Sequence, residues 1–214
     1  MKNIDLIIFD LDGTLVDSVN DIVNAVNFTL KDIGLKEKSK QEISSYIGQG
    51  VEDLIRRSLG NKQKALLKRA LFVFEKYYRK HSTDESVLYP GVEEVLEYFK
   101  DKRKMIITNR NYEFALLTLK ALGVYDYFED IVGGDDIGCM KPSSCPLDRA
   151  IYGRDINKEK AIIVGDMYVD VLAGKRAGII TCGVTYGIGR KEEIIKVKPD
   201  FIIDNIIELK NIIY

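Results

Sequence analysis

The chain has 214 residues, enough for one large domain or two small ones around a real core. Its 32 basic and 33 acidic residues leave a formal net charge of -1, which is no footprint for nucleic acid or an anionic membrane. No segment approaches the ~18 apolar residues of a membrane span, and Asp5 falls where a secretion signal needs apolar residues, so a soluble, cytoplasmic protein is expected.

The chain opens on Ile4-Asp5-Leu6-Ile7-Ile8-Phe9, an apolar run of strand length. Asp10-Leu11-Asp12-Gly13-Thr14 follows it. Side chains alternate along a strand, so Asp10 and Asp12 can project to one side, and Gly13 lets the backbone turn sharply beside an anion. Two such carboxylates repel, which asks for a hard divalent cation between them. Ser18 with Asp21 reads as a capping box opening a helix that carries Val19, Ile22, Val23, Val26, Leu30 and Ile33 inward and stops at Gly34. Further helices are expected over Ser39 to Tyr46, Val51 to Leu59 and Lys62 to Lys80, the last with Leu66, Ala70, Val73, Phe74 and Tyr77 on one face. Nothing between Val16 and about Ser86 reads as a strand, so this stretch is an all-helical insertion. Linkers near Val16 to Ser18 and Ser82 to Ser86 would let it act as a hinged lid.

From Tyr89-Pro90-Gly91 onward the pattern changes. A helix carrying Val92, Val95, Leu96 and Phe99 leads to a strand at Met105-Ile106-Ile107-Thr108, then to a helix from Asn111 to Leu122. Ile131-Val132 is a short strand and Ser144 to Ile151 a helix. Ala161-Ile162-Ile163-Val164-Gly165 is the clearest buried strand, followed by a helix from Val169 to Ala177. Ile179 to Val184 and Phe201 to Ile203 are strands, and Ile206 to Tyr214 is the last helix. This alternation means an α/β fold with a doubly wound parallel sheet, whose ligands bind outside the carboxyl ends of the strands.

Three of those ends carry polar groups. Thr108-Asn109-Arg110 offers a hydroxyl, an amide and a guanidinium suited to phosphate oxygens. Lys141, after Gly133-Gly134-Asp135-Asp136, offers an ammonium that could offset an aspartate and a phosphate. Asp166 sits in the loop after the best strand, and Asp170 in the first turn of the next helix. Cys139, Cys145 and Cys182 form no Cys-x-x-Cys pair, and their odd number is read as free thiols. The single histidine, His81, closes a Lys/Tyr-rich run and is expected to be solvated.

These stretches, in order, resemble the four motifs of the haloacid dehalogenase superfamily, most of whose members are Mg-dependent phosphatases. They are Asp10-Leu11-Asp12-Gly13-Thr14, Thr108-Asn109-Arg110, Lys141-Pro142 with Pro146 and Leu147, and Gly165-Asp166 through Asp170 to Gly178. Arg110 stands where the family often has lysine, and Ser144 where it often has a second proline. Tyr46-Ile47-Gly48-Gln49-Gly50, Leu54, Leu59-Gly60, Gly183-Val184-Thr185-Tyr186-Gly187 and Lys198 to Ile203 resemble the phosphoglycolate phosphatase branch.

The resemblance implies a Rossmann-like core from residues 1–16 and 86–214 and an inserted helical cap domain from 17–85. It implies Asp10 as the nucleophile that forms an aspartyl-phosphate, and Asp12 as general acid and base. Mg²⁺ would be held by Asp10, the Asp12 main-chain carbonyl and Asp166, with Asp170 ligating it or orienting a water. Thr108, Asn109 and Lys141 would bind the phosphoryl oxygens, Arg110 would face substrate or solvent, and Gly48-Gln49-Gly50 would be the cap's contact loop. The substrate would be a small phosphorylated metabolite, 2-phosphoglycolate by likeness, with pyrophosphatase, nucleotide or sugar-phosphate phosphatase and then phosphomutase as alternatives. Dehalogenases and phosphonatases lack the second acid, and Val19 to Lys36 lack the histidine typical of a phosphomutase cap. A non-catalytic phosphate-binding protein would have lost Asp10, Asp12, Lys141 or Asp166, and all four are present. No nucleic-acid or membrane partner is expected, and the protein is expected to be a monomer or homodimer.

Overall fold

The structure, a computed structural model, describes residues 1–60 and 65–214. Strand β1 (Leu6–Phe9) is followed by the two-residue strand β2 (Val16–Asp17). Four helices come next: α1 (Val19–Asp32), α2 (Lys40–Ser44), α3 (Val51–Leu59) and α4 (Leu67–His81). Strand β3 (Val87–Leu88) brings the chain back, and alternation begins with α5 (Val92–Tyr98), β4 (Arg103–Ile107), α6 (Tyr112–Ala121) and β5 (Asp130–Val132). It continues through α7 (Cys145–Ile151), β6 (Ala161–Gly165), α8 (Tyr168–Ala177) and β7 (Ile180–Val184). It closes with α9 (Lys191–Lys196), β8 (Phe201–Ile203) and α10 (Leu209–Ile212).

The six-stranded sheet runs β5-β4-β1-β6-β7-β8, and every pair in it is parallel. Parallel strands need crossovers, and the helices that make them cover both faces, so β1 is apolar throughout. Ile7 and Phe9 enter one buried layer, Leu6 and Ile8 the other, and none of the four is exposed. The chain builds outward from β1 through β4 and β5, then returns to add β6, β7 and β8 on the other side. The strand order thus reverses at β1, and the crevice beyond the carboxyl ends of β1, β4 and β6 is the switch point where such sheets bind ligands.

Helices α1 to α4 pack on each other around an apolar cluster of their own, to which the sheet side contributes Phe114 of α6. On α4 the buried residues are Ala70, Phe74 and Tyr78. The expected face ran through Tyr77; in the structure Tyr77 stacks between Phe28 and His81 on the outer side, and Tyr78 turns inward. The expected start of this helix at Lys62 lies outside the described residues.

Several expectations are corrected. Ser18 makes no helix cap; its hydroxyl donates to Asp12 instead. The Asp21 carboxylate is not a cap either: it accepts from the Glu85 and Ser86 amides and, at 2.6 Å, from the Ser86 hydroxyl. The two expected linkers are tied together, because Val16 pairs with Leu88 and Asp17 with Val87 in an antiparallel ribbon. Helix α9 was not expected: its short charged run buries Ile194 alone and carries little periodic signal. The last helix is shorter than expected, a 3-10 turn at Ile206–Glu208 followed by α10. Cys139 and Cys145 are not free thiols but a disulfide with Cα atoms 6.3 Å apart, while Cys182 is free and buried. An odd count argues against a disulfide framework, yet it does not exclude one local bridge across a loop.

Candidate active site

The site begins with Asp10, one residue beyond β1, whose amide donates to the Val164 carbonyl of β6 at 2.9 Å. Its carboxylate lies 2.8 Å from the Lys141 ammonium. The same ammonium lies 2.6 Å from Asp170 Oδ1 and donates to the Ile107 carbonyl at 2.7 Å. The contact with Asp170 Oδ1 lacks hydrogen-bond geometry, so that buried oxygen carries an ionic contact and no hydrogen bond. Burial alone would discharge Lys141, but the Asp10 and Asp170 carboxylates more than offset it, and its pKa is raised.

Asp166 follows β6 and is fully buried. It accepts from the Thr14 hydroxyl at 3.2 Å and from the Ile188 and Gly189 amides at 2.8 and 2.9 Å. A Cβ on Gly13, whose φ is +82°, would strike Asp166, so the turn after Asp12 requires glycine both for its backbone angle and for this approach. Carboxylate oxygens of Asp10, Asp166 and Asp170 lie within 4.8 Å of one another. Burial first, then the charges of Asp10 and Asp170, push the Asp166 pKa well above its ordinary value. Burial likewise raises Asp170 to about 6, against the pull of Lys141. These donors are all hard oxygens, and three mutually repelling buried carboxylates suit a divalent cation such as Mg²⁺.

Asp12 turns the other way. Its carboxylate accepts from the Ser18 hydroxyl and from the Arg110 guanidinium, and burial still leaves its pKa raised against both. Arg110, expected to face substrate or solvent, is buried and ion-paired to Asp12. Four carboxylates, Asp10, Asp12, Asp166 and Asp170, thus crowd around two cations, Lys141 and Arg110.

Thr108 is buried at the end of β4 and accepts from the Arg110 amide at 3.1 Å. Asn109 is placed differently from expectation. Its side-chain amide donates to the Gly48 and Lys141 carbonyls at 2.8 and 2.9 Å, while its oxygen accepts from the Lys141 amide at 2.9 Å. Both amide hydrogens are thereby spent, so in this arrangement the Asn109 side chain donates nothing to a phosphate. It ties the lysine loop to the helical layer instead. Gly48 and Gly50 line the cavity through their backbones, and a side chain on Gly48, at φ +113°, would strike Met167. Gln49 is not brought into the cavity; it donates to the Tyr168 hydroxyl at 3.1 Å.

The partly open cavity between the sheet edge and the helices is about 50 Å³. Sequence reasoning missed Thr14, Ser18, Tyr78 and the amides of Ile188 and Gly189. Ser18 was disguised by its good capping context. Tyr186-Gly187-Ile188-Gly189 carried a signal, since a Gly-rich stretch lets backbone come close, but nothing local says to which carboxylate.

The chain matches the haloacid dehalogenase-like hydrolase family over residues 7–184. A phosphoglycolate phosphatase of Nitrosococcus oceani is 34% identical over 220 residues, covering 100% of this chain and 98% of that protein. One from Colwellia psychrerythraea is 36% identical over 214 residues, covering 96% and 95%. The crystal structure of a predicted phosphoglycolate phosphatase from Haemophilus somnus superposes with a TM-score of 0.94 at 31% identity, covering 99% of each chain. A haloacid dehalogenase-like hydrolase from Streptococcus pneumoniae superposes with a TM-score of 0.88 at 27% identity, covering 98% of each.

Proposed function

The chain belongs to the haloacid dehalogenase-like hydrolases, and from that premise we propose that it hydrolyses 2-phosphoglycolate through an aspartyl-phosphate on Asp10. Its class, a phosphoric monoester hydrolase of the phosphoglycolate phosphatase-like branch, rests on the family match and on relatives of that name. The observation that carries the mechanism is the pairing of Asp10 with Lys141 in the same cavity that Asp12 lines.

Asp10 attacks phosphorus, the bond from phosphorus to the ester oxygen breaks, and Asp12 gives its proton to the departing alkoxide. A raised Asp12 pKa, with burial as its largest cause, suits a group that must hold a proton for that step. Asp12 then takes a proton from the water that attacks the aspartyl-phosphate, and phosphate and free Asp10 result. Lys141 and the Thr108 hydroxyl face the phosphoryl oxygens, and Asn109 holds the Lys141 backbone in place for them. Mg²⁺, held by Asp10, Asp166 and Asp170 with the Asp12 carbonyl implied by family likeness, would offset the charge of these carboxylates and of the phosphoryl group.

Residues 1–16 and 86–214 form the proposed catalytic core, and residues 17–85 the proposed cap.

The test is phosphate release with Mg²⁺ and with EDTA across 2-phosphoglycolate, pyrophosphate, sugar phosphates and nucleotides, ranked by kcat/KM. Release that EDTA abolishes, with 2-phosphoglycolate far ahead, is the expected result. A flat ranking removes the substrate assignment but keeps the chemistry. Absence of any metal-dependent release gives way to a phosphate-binding protein.

A second readout does not need turnover. The folded Asp170 pKa is raised to about 6, so the folded chain holds a proton that the unfolded chain has lost above about pH 4. That advantage is present at low pH and lost as pH rises through 6. Mg²⁺ compensates the charge that then appears, so its elevation of Tm is expected to be larger at pH 8 than at pH 5. Equal shifts at both pH values would remove Asp170 from the ion's surroundings.

A further inference from the structure

Lys141 pairs with Asp10 and Arg110 with Asp12, and all four line the cavity together with Thr108. We propose that Arg110 and Tyr78 form an anion subsite that selects phosphate esters whose alcohol carries a carboxylate close to the ester oxygen. The proposal rests on the phosphatase reading above and adds the part that reads the leaving group.

The argument starts from where Asp12 must act. A group that protonates the departing oxygen touches it, so the remainder of the alcohol lies next to whatever touches Asp12. That neighbour is Arg110. One guanidinium nitrogen pairs with Asp12, another donates to the Thr118 hydroxyl at 2.8 Å, and the side chain is 4% exposed. A guanidinium has five N–H donors in a planar fork that matches a carboxylate, so these two contacts leave donors free.

Tyr78 supplies the second observation. It sits on α4, 1% exposed, held between Phe74 and Phe114 with ring centroids 5.1 Å away on either side. The Arg110 guanidinium lies 5.5 Å from its ring centre. Tyr78 lines the same cavity, and its hydroxyl has no hydrogen-bond partner among the described residues. Buried tyrosine hydroxyls ordinarily find a partner, so an unpaired one on a residue that lines a ligand cavity points to a group that arrives with the ligand.

The remaining wall decides the chemistry of that group. Ile22, Ile47, Leu54 and Phe74 offer no hydrogen bonds to a polyol. A cationic alcohol would be repelled by Arg110. A carboxylate meets a guanidinium and a phenol.

The experiment compares 2-phosphoglycolate with 2-hydroxyethyl phosphate, which replaces the carboxylate by a neutral hydroxymethyl group on the same skeleton, and with p-nitrophenyl phosphate. The unmodified protein is expected to favour the acid by about 10²-fold or more in kcat/KM. Tyr78→Phe is expected to cut that ratio about tenfold, mainly through KM for the acid, and Arg110→Lys to cut it further. Tyr78→Phe should also keep or raise Tm, since it removes an unpaired buried hydroxyl, and this separates a binding role from a structural one.

Equal kcat/KM for acid and alcohol in the unmodified protein would overturn the subsite while the phosphatase reading stands. So would a Tyr78→Phe variant that slows both esters alike. Failure to release phosphate from all three esters with Mg²⁺ would overturn both.

Discussion

Asp10→Asn is expected to remove turnover altogether, by about 10⁴-fold or more, on every substrate the protein accepts. The amide has the shape of the carboxylate but cannot form an acyl phosphate, and it is the first bond to phosphorus that is lost. Folding should survive, because the change removes one of three clustered carboxylates and leaves an oxygen 2.8 Å from Lys141 available. The metal-free variant should melt no lower than the parent. Phosphate release and acid-quenched phosphoenzyme, followed side by side, check the assignment. A variant that still turns over near the parent rate would pass the nucleophile's role to another group.

Lys141→Met should cost both stability and rate. The ammonium is the cation that touches Asp10 and Asp170 together, and all three side chains are nearly closed to solvent. Removing one partner of a buried ion pair costs about 3–5 kcal/mol, because the remaining charge has no compensation. Protonation of the carboxylates can relieve that cost, so the loss should be smaller at pH 5 than at pH 8. With Mg²⁺ present, kcat should still fall about 10²–10³-fold, the usual scale for losing one preorganised group that faces developing charge. Urea unfolding at the two pH values gives the first quantity and phosphate release the second. Unchanged stability at pH 8 would contradict the burial of an uncompensated pair.

The comparison of sequence with structure is uneven in an instructive way. The strands β1 and β6 were legible because a strand buried on both faces is an unbroken apolar run, and the motifs at Asp10 and Asp166 were legible because each directly follows such a strand. Asp10, Lys141, Asp166 and Asp170 do converge, and their convergence follows from strand order alone once the fold is given. What stayed hidden depends on distant partners. Ser18 has every local mark of a helix cap, yet Asp12 claims its hydroxyl. Asn109 looks like a phosphate donor until Gly48 and Lys141 are seen to occupy its amide. Tyr77 and Tyr78 are adjacent on one helix, and a rotation of one residue decides which of them meets Arg110. Helical periodicity carries about that much angular uncertainty, so packing against Phe74 and Phe114 makes the choice.

The ribbon of β2 and β3 has a consequence for how such a protein can change over generations. The helical insert leaves the sheet at Asp17 and rejoins it at Val87, and these two residues are paired neighbours, roughly 5 Å apart by ladder geometry. A segment whose ends meet in this way can be lengthened, shortened or exchanged without shifting the strands beneath it, as inserted domains with adjacent termini generally can. Asp10, Lys141, Asp166 and Asp170 all lie outside it, whereas Tyr78 lies within. On the proposed assignment, the bond-breaking apparatus and half of the selection apparatus are therefore inherited on separable pieces of chain. A lineage can try new leaving groups by remodelling the insert while the chemistry beneath stays fixed.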